Sequence, residues 1–312
     1  MKKELLKPKI DVVFHALFRE ENKNLTEALI SDILGEKVKV ITSDRDRHLN
    51  IKDPDQKFGI MDLRTELEGG VKCNIELQVD EMNFETERFL YYWADAYSRQ
   101  LEKGTDYVVL HKTISIIILD HELKELKDME ELGTKWQIRD EKTGERLLTK
   151  HLEIIIIEIP KARRIYKKNN KNKIGQWMMF FDNPNDEEVS YIVENNEEIR
   201  KANEELDKMS DDETLRRIAE LKEKGRRDYN ARMSFIENKG MERGLQKGME
   251  QGMKQGMKQG MKQGMKQGIT IGKREKSIEF AEKLIKKGLD INFIEETTGL
   301  DKETIEKLIK NK

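Results

Sequence analysis

Two adjacent glycines, Gly69 and Gly70, separate two runs of alternating apolar and polar residues, 59–67 and 71–79. A period of two marks a strand with one buried face, and a glycine pair between two such runs signals a hairpin. The hairpin constrains more than two strands, because a one-residue change of register carries every side chain to the opposite face. A loop centred on Gly69 sets Asp62 directly opposite Glu76. A two-residue turn at Gly69-Gly70 sets Asp62 opposite Leu77 instead. In either register Glu76 and Gln78 point to the same side of their strand.

The flanking segments define the fold class. Residues 11–18 carry apolar side chains at 12, 13, 14, 17 and 18, which suits one face of a helix. Residues 24–34 predict a second helix, with Leu25, Leu29, Ile30, Ile33 and Leu34 inward and Gly35 as the stop. Residues 38–42 read as a strand, and 84–103 as an amphipathic helix closed by Gly104. The β-branched runs 107–110, 114–119 and 151–159 read as buried strands, the last ended by Pro160. Helices, a hairpin, a helix and further strands make an α/β domain, a mixed sheet flanked by helices.

Composition narrows the remaining classes. A chain of 312 residues accommodates one larger domain with smaller appendages. With 38% charged residues and a net charge of -2, the surface mixes both signs, and overall charge names no partner. Cys73 is the only cysteine, which excludes an intrachain disulfide and a cysteine-built zinc site. The five histidines show no metal-ligand spacing. Residues 1–11 are charged and lack an apolar stretch, and runs such as 154–157 are far too short to span a bilayer. The expectation is a cytoplasmic protein with no membrane partner.

In the register that pairs Asp62 with Glu76, the two carboxylates stand about 4.5–5.5 Å apart at their Cβ atoms. Acids that close repel unless a cation joins them. A hard divalent ion such as Mg²⁺ takes carboxylate, carbonyl and water oxygens. Asp62, Glu76 and the main-chain carbonyl of Leu77 form such a set. A metal held there acidifies water and stabilises charge on a phosphate. Acids on the solvent face of a hairpin are also common where no chemistry occurs, so spacing alone leaves both readings open.

The segments Lys9-Ile10-Asp11-Val12-Val13-Phe14, Leu17-Phe18, Met61-Asp62-Leu63-Arg64 and Ile75-Glu76-Leu77-Gln78 continue in Arg88, Tyr91-Tyr92, the turn Gly104-Thr105-Asp106-Tyr107 and the run 114–119. In order and spacing this series resembles the recombination-promoting nuclease (Rpn) family of PD-(D/E)XK nucleases, over residues 5–160. The resemblance implies a restriction-endonuclease-like fold, DNA as substrate, and Mg²⁺ or another divalent cation held by Asp62 and Glu76. Gln78 falls where the wider superfamily usually has lysine. A glutamine is neutral and can orient water or phosphate only by hydrogen bonding. Asp11 falls where an additional acid often faces the same metal. His15 departs from the lysine expected after Phe14 and removes one fixed positive charge. The implied catalytic set is Asp62, Glu76, Gln78 and Asp11.

Arg88 and Tyr92, four apart, share a helix face, and Arg88 is a candidate phosphate contact. Tyr91 and Tyr97 read as packing the sheet with their hydroxyls at its edge. Residues 161–173 contain Lys161, Arg163, Arg164, Lys167, Lys168, Lys171 and Lys173 and no acid. They form either a DNA-contacting surface, led by Lys161, Arg163 and Arg164, or a solvated loop.

From residue 240 to 272 glycine recurs every four residues. On a helix of 3.6 residues per turn that period drifts about 40° per repeat. Each glycine costs about 1 kcal/mol relative to alanine. Close approach of a partner helix offsets the cost and implies a homo-oligomer through the C-terminal region. A flexible linker or expansion of the coding repeat are the other readings. Residues 277–310 read as three short helices, 277–287, 290–297 and 301–310, whose last turn resembles a helix-turn-helix module. Asp301 and Glu303 at that helix start oppose DNA, so assembly is an equal role. The expected divisions are a nuclease-like domain at 1–175, a charged helical connector at 176–239, the glycine segment at 240–275 and the tail at 276–312. The functional expectation is a Mg²⁺-dependent DNA endonuclease that hydrolyses phosphodiester bonds and, by resemblance, serves recombination or transposition. The alternative is a catalytically inactive DNA-binding or oligomeric regulatory protein on the same fold.

Overall fold

A computed structural model describes residues 4–45 and 62–310, with the backbone alone for residues 44, 45 and 62. The chain opens with α1 (Asp11–Leu17) and α2 (Lys23–Leu34), which ends on left-handed Gly35 as the sequence predicts. Strands β1 (Val40–Arg45), β2 (Asp62–Leu67) and β3 (Lys72–Gln78) follow, then α3 (Glu85–Ser98), β4 (Thr113–Leu119), β5 (Gly133–Trp136) and β6 (Leu152–Glu158). Four helices follow: α4 (Ile159–Lys168), α5 (Lys173–Asp182), α6 (Glu187–Asn195) and α7 (Glu197–Met209). The described strands form one mixed sheet in the order β1-β2-β3-β4-β6-β5. The β3–β4 and β4–β6 pairs are parallel, and the others are antiparallel.

The sequences of the central strands explain their position. A strand buried on both faces needs an unbroken apolar run rather than alternation. Residues 116–119 and 154–157 provide such runs within Thr113–Leu119 and Leu152–Glu158, and every residue of both strands is buried. One face of the sheet packs Leu63, Cys73, Ile75, Leu77, Ile116 and Ile157 against the helices that follow and precede it. An aromatic cluster tightens this layer, with ring centroids 4.8 Å apart for Phe14 and Phe18 and 6.3 Å for Phe18 and Trp177. The other face sets Ile117, Leu119, Ile154 and Ile156 beneath Phe89 and Trp93 of α3.

Several expectations change. Residues 107–110 are not a buried strand. They form a tight turn over Tyr107–Val109, with Asp106 accepting from the Val108 amide and Tyr107 and Val108 exposed. The short edge strand β5 lacked a legible pattern, because three of its four residues face solvent. Residues 176–209 are no mere connector. Trp177, Phe180, Phe181, Ile199 and Leu206 complete the same core, and the first compact unit runs to Tyr229.

Helix α8 (Glu213–Lys286) is continuous, so the first of the three expected tail helices is its end. A methyl group added at any repeat glycine from Gly240 to Gly272 would meet nothing within 4 Å. Helices α9 (Ile291–Thr298) and α10 (Lys302–Lys310) enclose a small core of Ala281, Leu284, Ile294, Leu300 and Ile305. Asp290 caps α9 by accepting from the amides of Asn292 and Phe293. Among the described residues no helix is long and apolar enough to cross a membrane.

Candidate active site

The hairpin adopts the register centred on Gly69. Asp62 pairs with Glu76, Leu63 with Ile75, and Arg64 with Asn74. The Leu67 amide donates to the Val71 carbonyl, and the turn between them places both Gly69 and Gly70 at φ 80°. A side chain is strained in that region. At Gly70 it would also lie 2.6 Å from the His111 ring, so the loop accepts only glycine without rearrangement.

Register determines which chemistry shares a face. Odd positions of β3, Cys73, Ile75 and Leu77, enter the helix-backed core. Even positions, Lys72, Asn74, Glu76 and Gln78, share the α3 side with even positions of β2, by strand alternation. On the same face, Ile117 and Leu119 of β4 stand beside Glu76 and Gln78, and Leu152, Ile154 and Ile156 of β6 lie beyond them. The buried carboxylate and amide of this face, Glu76 and Gln78, thus lie on β3, and β4 adds only the hydroxyls of Thr113 and Ser115 beside Lys72 and Asn74. Glu76 is 6% exposed and Gln78 is fully buried, which is unusual for such groups without a specific role or partner. A narrow crevice lined by Arg64, Asn74, Glu76, Tyr92, Asp95 and Ser115 reaches the glutamate.

A hydrogen-bonded cluster surrounds Gln78. Its Nε2 donates to a carboxylate oxygen of Glu85, the first residue of α3, and to the Asp80 carbonyl at 3.2 Å. The Glu85 carboxylate also accepts from the Met82 amide at 3.0 Å and from His121 Nε2 at 3.0 and 3.1 Å. Glu85 and His121 were not legible as site residues. An acid opening a helix reads as ordinary N-terminal charge, and a lone histidine after a strand reads as nothing. The missed signal is their position beyond the carboxyl ends of β3 and β4, where open α/β sheets place ligands.

Asp11 lies on α1 as expected, but its carboxylate pairs with Lys222 of α8 at 2.8 Å. Nearby charges follow the same pattern. Lys9 bridges Asp120 at 3.0 Å and Asp182 at 2.8 Å, while Arg226 reaches Asp80 at 3.3 Å and Asp120 at 3.8 Å. Burial opposes the charge on Lys9, but the two carboxylates outweigh it and raise its pKa above the ordinary lysine value.

Arg88 lies three residues beyond Glu85 on α3. Its guanidinium carbon is 5.8 Å from the Tyr92 ring centroid, one nitrogen contacts Met82 sulfur, and Nη2 is buried with no hydrogen-bond partner among the described residues. Tyr97 packs as expected, stacking on Trp93 and hydrogen bonding His151 Nδ1 at 2.9 Å. Tyr91 does not, and is exposed.

Residues 159–168 are helical rather than a loop. Lys161 is fully buried, paired with Glu158, and donates to the carbonyls of Leu126 at 3.1 Å and Met129 at 2.8 Å. The DNA contact expected of it is therefore closed to it. Its role is to pin the segment after β4. Arg163 and Arg164 are exposed but paired, Arg163 with Asp186 and Glu188 and Arg164 with Glu122.

Among the described residues no three His, Cys, Asp or Glu side chains gather as a metal site, and the Asp62 side chain lies outside them. The donors that the register assembles are hard oxygens. They are the buried Glu76 carboxylate and the Leu77 carbonyl beside it, and next along the strand the buried Gln78 Oε1 has no hydrogen-bond partner among the described residues. That chemistry fits a hard divalent cation.

A mixed sheet flanked by helices, with an acid pair on its hairpin and a polar residue two positions on, defines a restriction-endonuclease-like fold. A family profile described as PD-(D/E)XK nuclease family transposase matches residues 8–235, and the chain belongs to that family. Nucleases of this type generally use divalent metal ions and act on DNA. No curated protein and no solved structure matches the chain.

Proposed function

We propose that this protein is a Mg²⁺-dependent DNA endonuclease that hydrolyses phosphodiester bonds in recombination or transposition. The observation that carries the reading is the cross-strand pairing of Asp62 with Glu76, two residues before buried Gln78. Asp62, Glu76 and the Leu77 carbonyl would hold the cation. When bound, the cation supplies a Lewis acid for the phosphate and an acidified water. Gln78 would orient the attacking water by hydrogen bonding, and Nη2 of Arg88, without a hydrogen-bond partner among the described residues, is suited to a phosphate oxygen. Asp11 assists from α1 only when its pairing with Lys222 is loosened.

The test is nicking of supercoiled plasmid by the purified full chain. Cleavage with Mg²⁺ that stops with EDTA supports the reading. DNA binding without cleavage under Mg²⁺ or Mn²⁺ would replace it with the second reading, a DNA-binding regulatory protein. One observation favours that second reading: the α8 cations Lys222 and Arg226 already neutralise Asp11, Asp80 and Asp120. Homo-oligomerisation through α8 and the tail is a separate proposal. Its support is a helix whose repeat methionines are exposed and whose repeat glycines leave room for a close neighbour, and sedimentation at several concentrations tests it.

A further inference from the structure

Gln78 stands where a lysine would present a positive charge, and its amide can take only one orientation. Glu85 and the Asp80 carbonyl both lie on one side of the amide, and both are acceptors. Only the NH₂ end can face two acceptors, so the assignment of nitrogen and oxygen follows from chemistry. Both amide hydrogens are thereby used. Oε1 remains, buried and without a hydrogen-bond partner among the described residues. Buried carbonyl oxygens are nearly always satisfied, so one left over beside a candidate metal site marks the place of a further group.

The acceptor that fixes this orientation is itself fixed. Glu85 is buried, and the Met82 amide and His121 Nε2 hold its carboxylate from other directions. A carboxylate offers only acceptors, so His121 must carry its hydrogen on Nε2. Glu85 comes from the start of α3 and His121 from the segment after β4. The amide of a β3 residue is therefore set by two other elements.

We propose that Glu85, braced by His121, is a positioning residue that turns the amide oxygen of Gln78 toward the metal side of the site, where it accepts a hydrogen bond from the attacking water. This rests on the nuclease reading. A lysine at this position could only donate to that water. An acceptor holds one O–H of the water and leaves an oxygen lone pair for phosphorus. The NH₂ end, spent on Glu85 and Asp80, makes no contact with phosphate.

Two measurements test the proposal, and the first needs no cleavage. With ¹⁵N-labelled glutamine, the Gln78 side-chain signals are identified by their loss in Gln78→Asn. In the wild-type protein the two NH₂ protons should be well separated and slow to exchange with water. In Glu85→Ala they should move toward ordinary glutamine positions and exchange quickly. Signals that already exchange like exposed glutamines in the wild type would overturn the proposal, whether or not any variant folds. The second measurement is single-turnover plasmid nicking. Glu85→Ala should slow cleavage about tenfold, within the coupling seen between members of one hydrogen-bond network, with DNA affinity unchanged. It should cause no further loss in a Gln78→Ala background. Glu85→Gln, which keeps one acceptor oxygen, should restore part of the rate. An equal loss in both backgrounds would make Glu85 merely structural. If the wild type cuts no DNA with any divalent cation, the nuclease reading fails, and the amide signals still decide the orientation of Gln78.

Discussion

Asp62 stands directly across the β2–β3 ladder from Glu76, with Leu63 opposite Ile75 as the next pair. The second pair explains the first. Leu63 and Ile75 are both buried in the helix-backed core, so a slip of one residue would bury Asp62 or Arg64 there. Apolar packing on one face thus sets the acid pair on the other.

The turn that holds this register distinguishes its two glycines. Gly69→Ala should cost about 1–2 kcal/mol, the strain of a left-handed alanine. Gly70→Ala carries the same strain and also drives a methyl group into the His111 ring. Urea unfolding should find Gly70→Ala the less stable of the two, with cleavage impaired only there.

Lys161 and its neighbours should separate structure from binding. Lys161→Met leaves the buried Glu158 carboxylate without its cation, a loss of about 3–5 kcal/mol. Arg163→Ala removes exposed pairs and should cost less than about 1 kcal/mol. Thermal unfolding checks the order. A destabilised Arg163→Ala beside an unaffected Lys161→Met would refute the assignment.

Acid should weaken the sheet through Glu153 on β6. Burial raises its pKa, but hydrogen bonds and charge from Lys112 and then Lys135 outweigh burial and hold it below the usual 4.5. A folded-state pKa below the unfolded one contributes stability at pH above the unfolded value. That contribution is lost as pH falls through the folded value, so the window lies below about pH 4.5. Glu153→Gln should be less stable than wild type at pH 7, and the gap should close as the pH falls toward 3. A gap that stays constant across that range would contradict the role.

Cys73 should be inert. Burial, only partly offset by the Thr65 hydrogen bond, pushes its thiol up to about 12. Iodoacetamide at pH 8 should label it only after denaturation, and rapid labelling of the folded protein would contradict the packing of β3.

The site was legible where it depended on local pattern and obscure where it depended on distant contacts. The glycine pair and strict alternation of 71–79 were enough to offer the Asp62–Glu76 pairing. The contacts of Gln78 with Glu85, and of Glu85 with His121, join residues 7 and 36 positions apart, and no periodicity marks them. The basic stretch 161–173 hid Lys161, because a lysine in a charged run looks solvated until its neighbours are known. The apolar run Trp177-Met178-Met179-Phe180-Phe181 lies in the centre of the core, but the highly charged segments on either side of it mask its pattern. The repeat glycines predict a weak isolated helix, yet α8 is continuous from Glu213 to Lys286.

The most direct test replaces each acid by its isosteric amide. Asp62→Asn and Glu76→Gln should preserve the fold and DNA binding while Mg²⁺-dependent plasmid nicking falls by at least about 100-fold in each. Either variant cutting at the wild-type rate would contradict a metal centre on the β2–β3 pair.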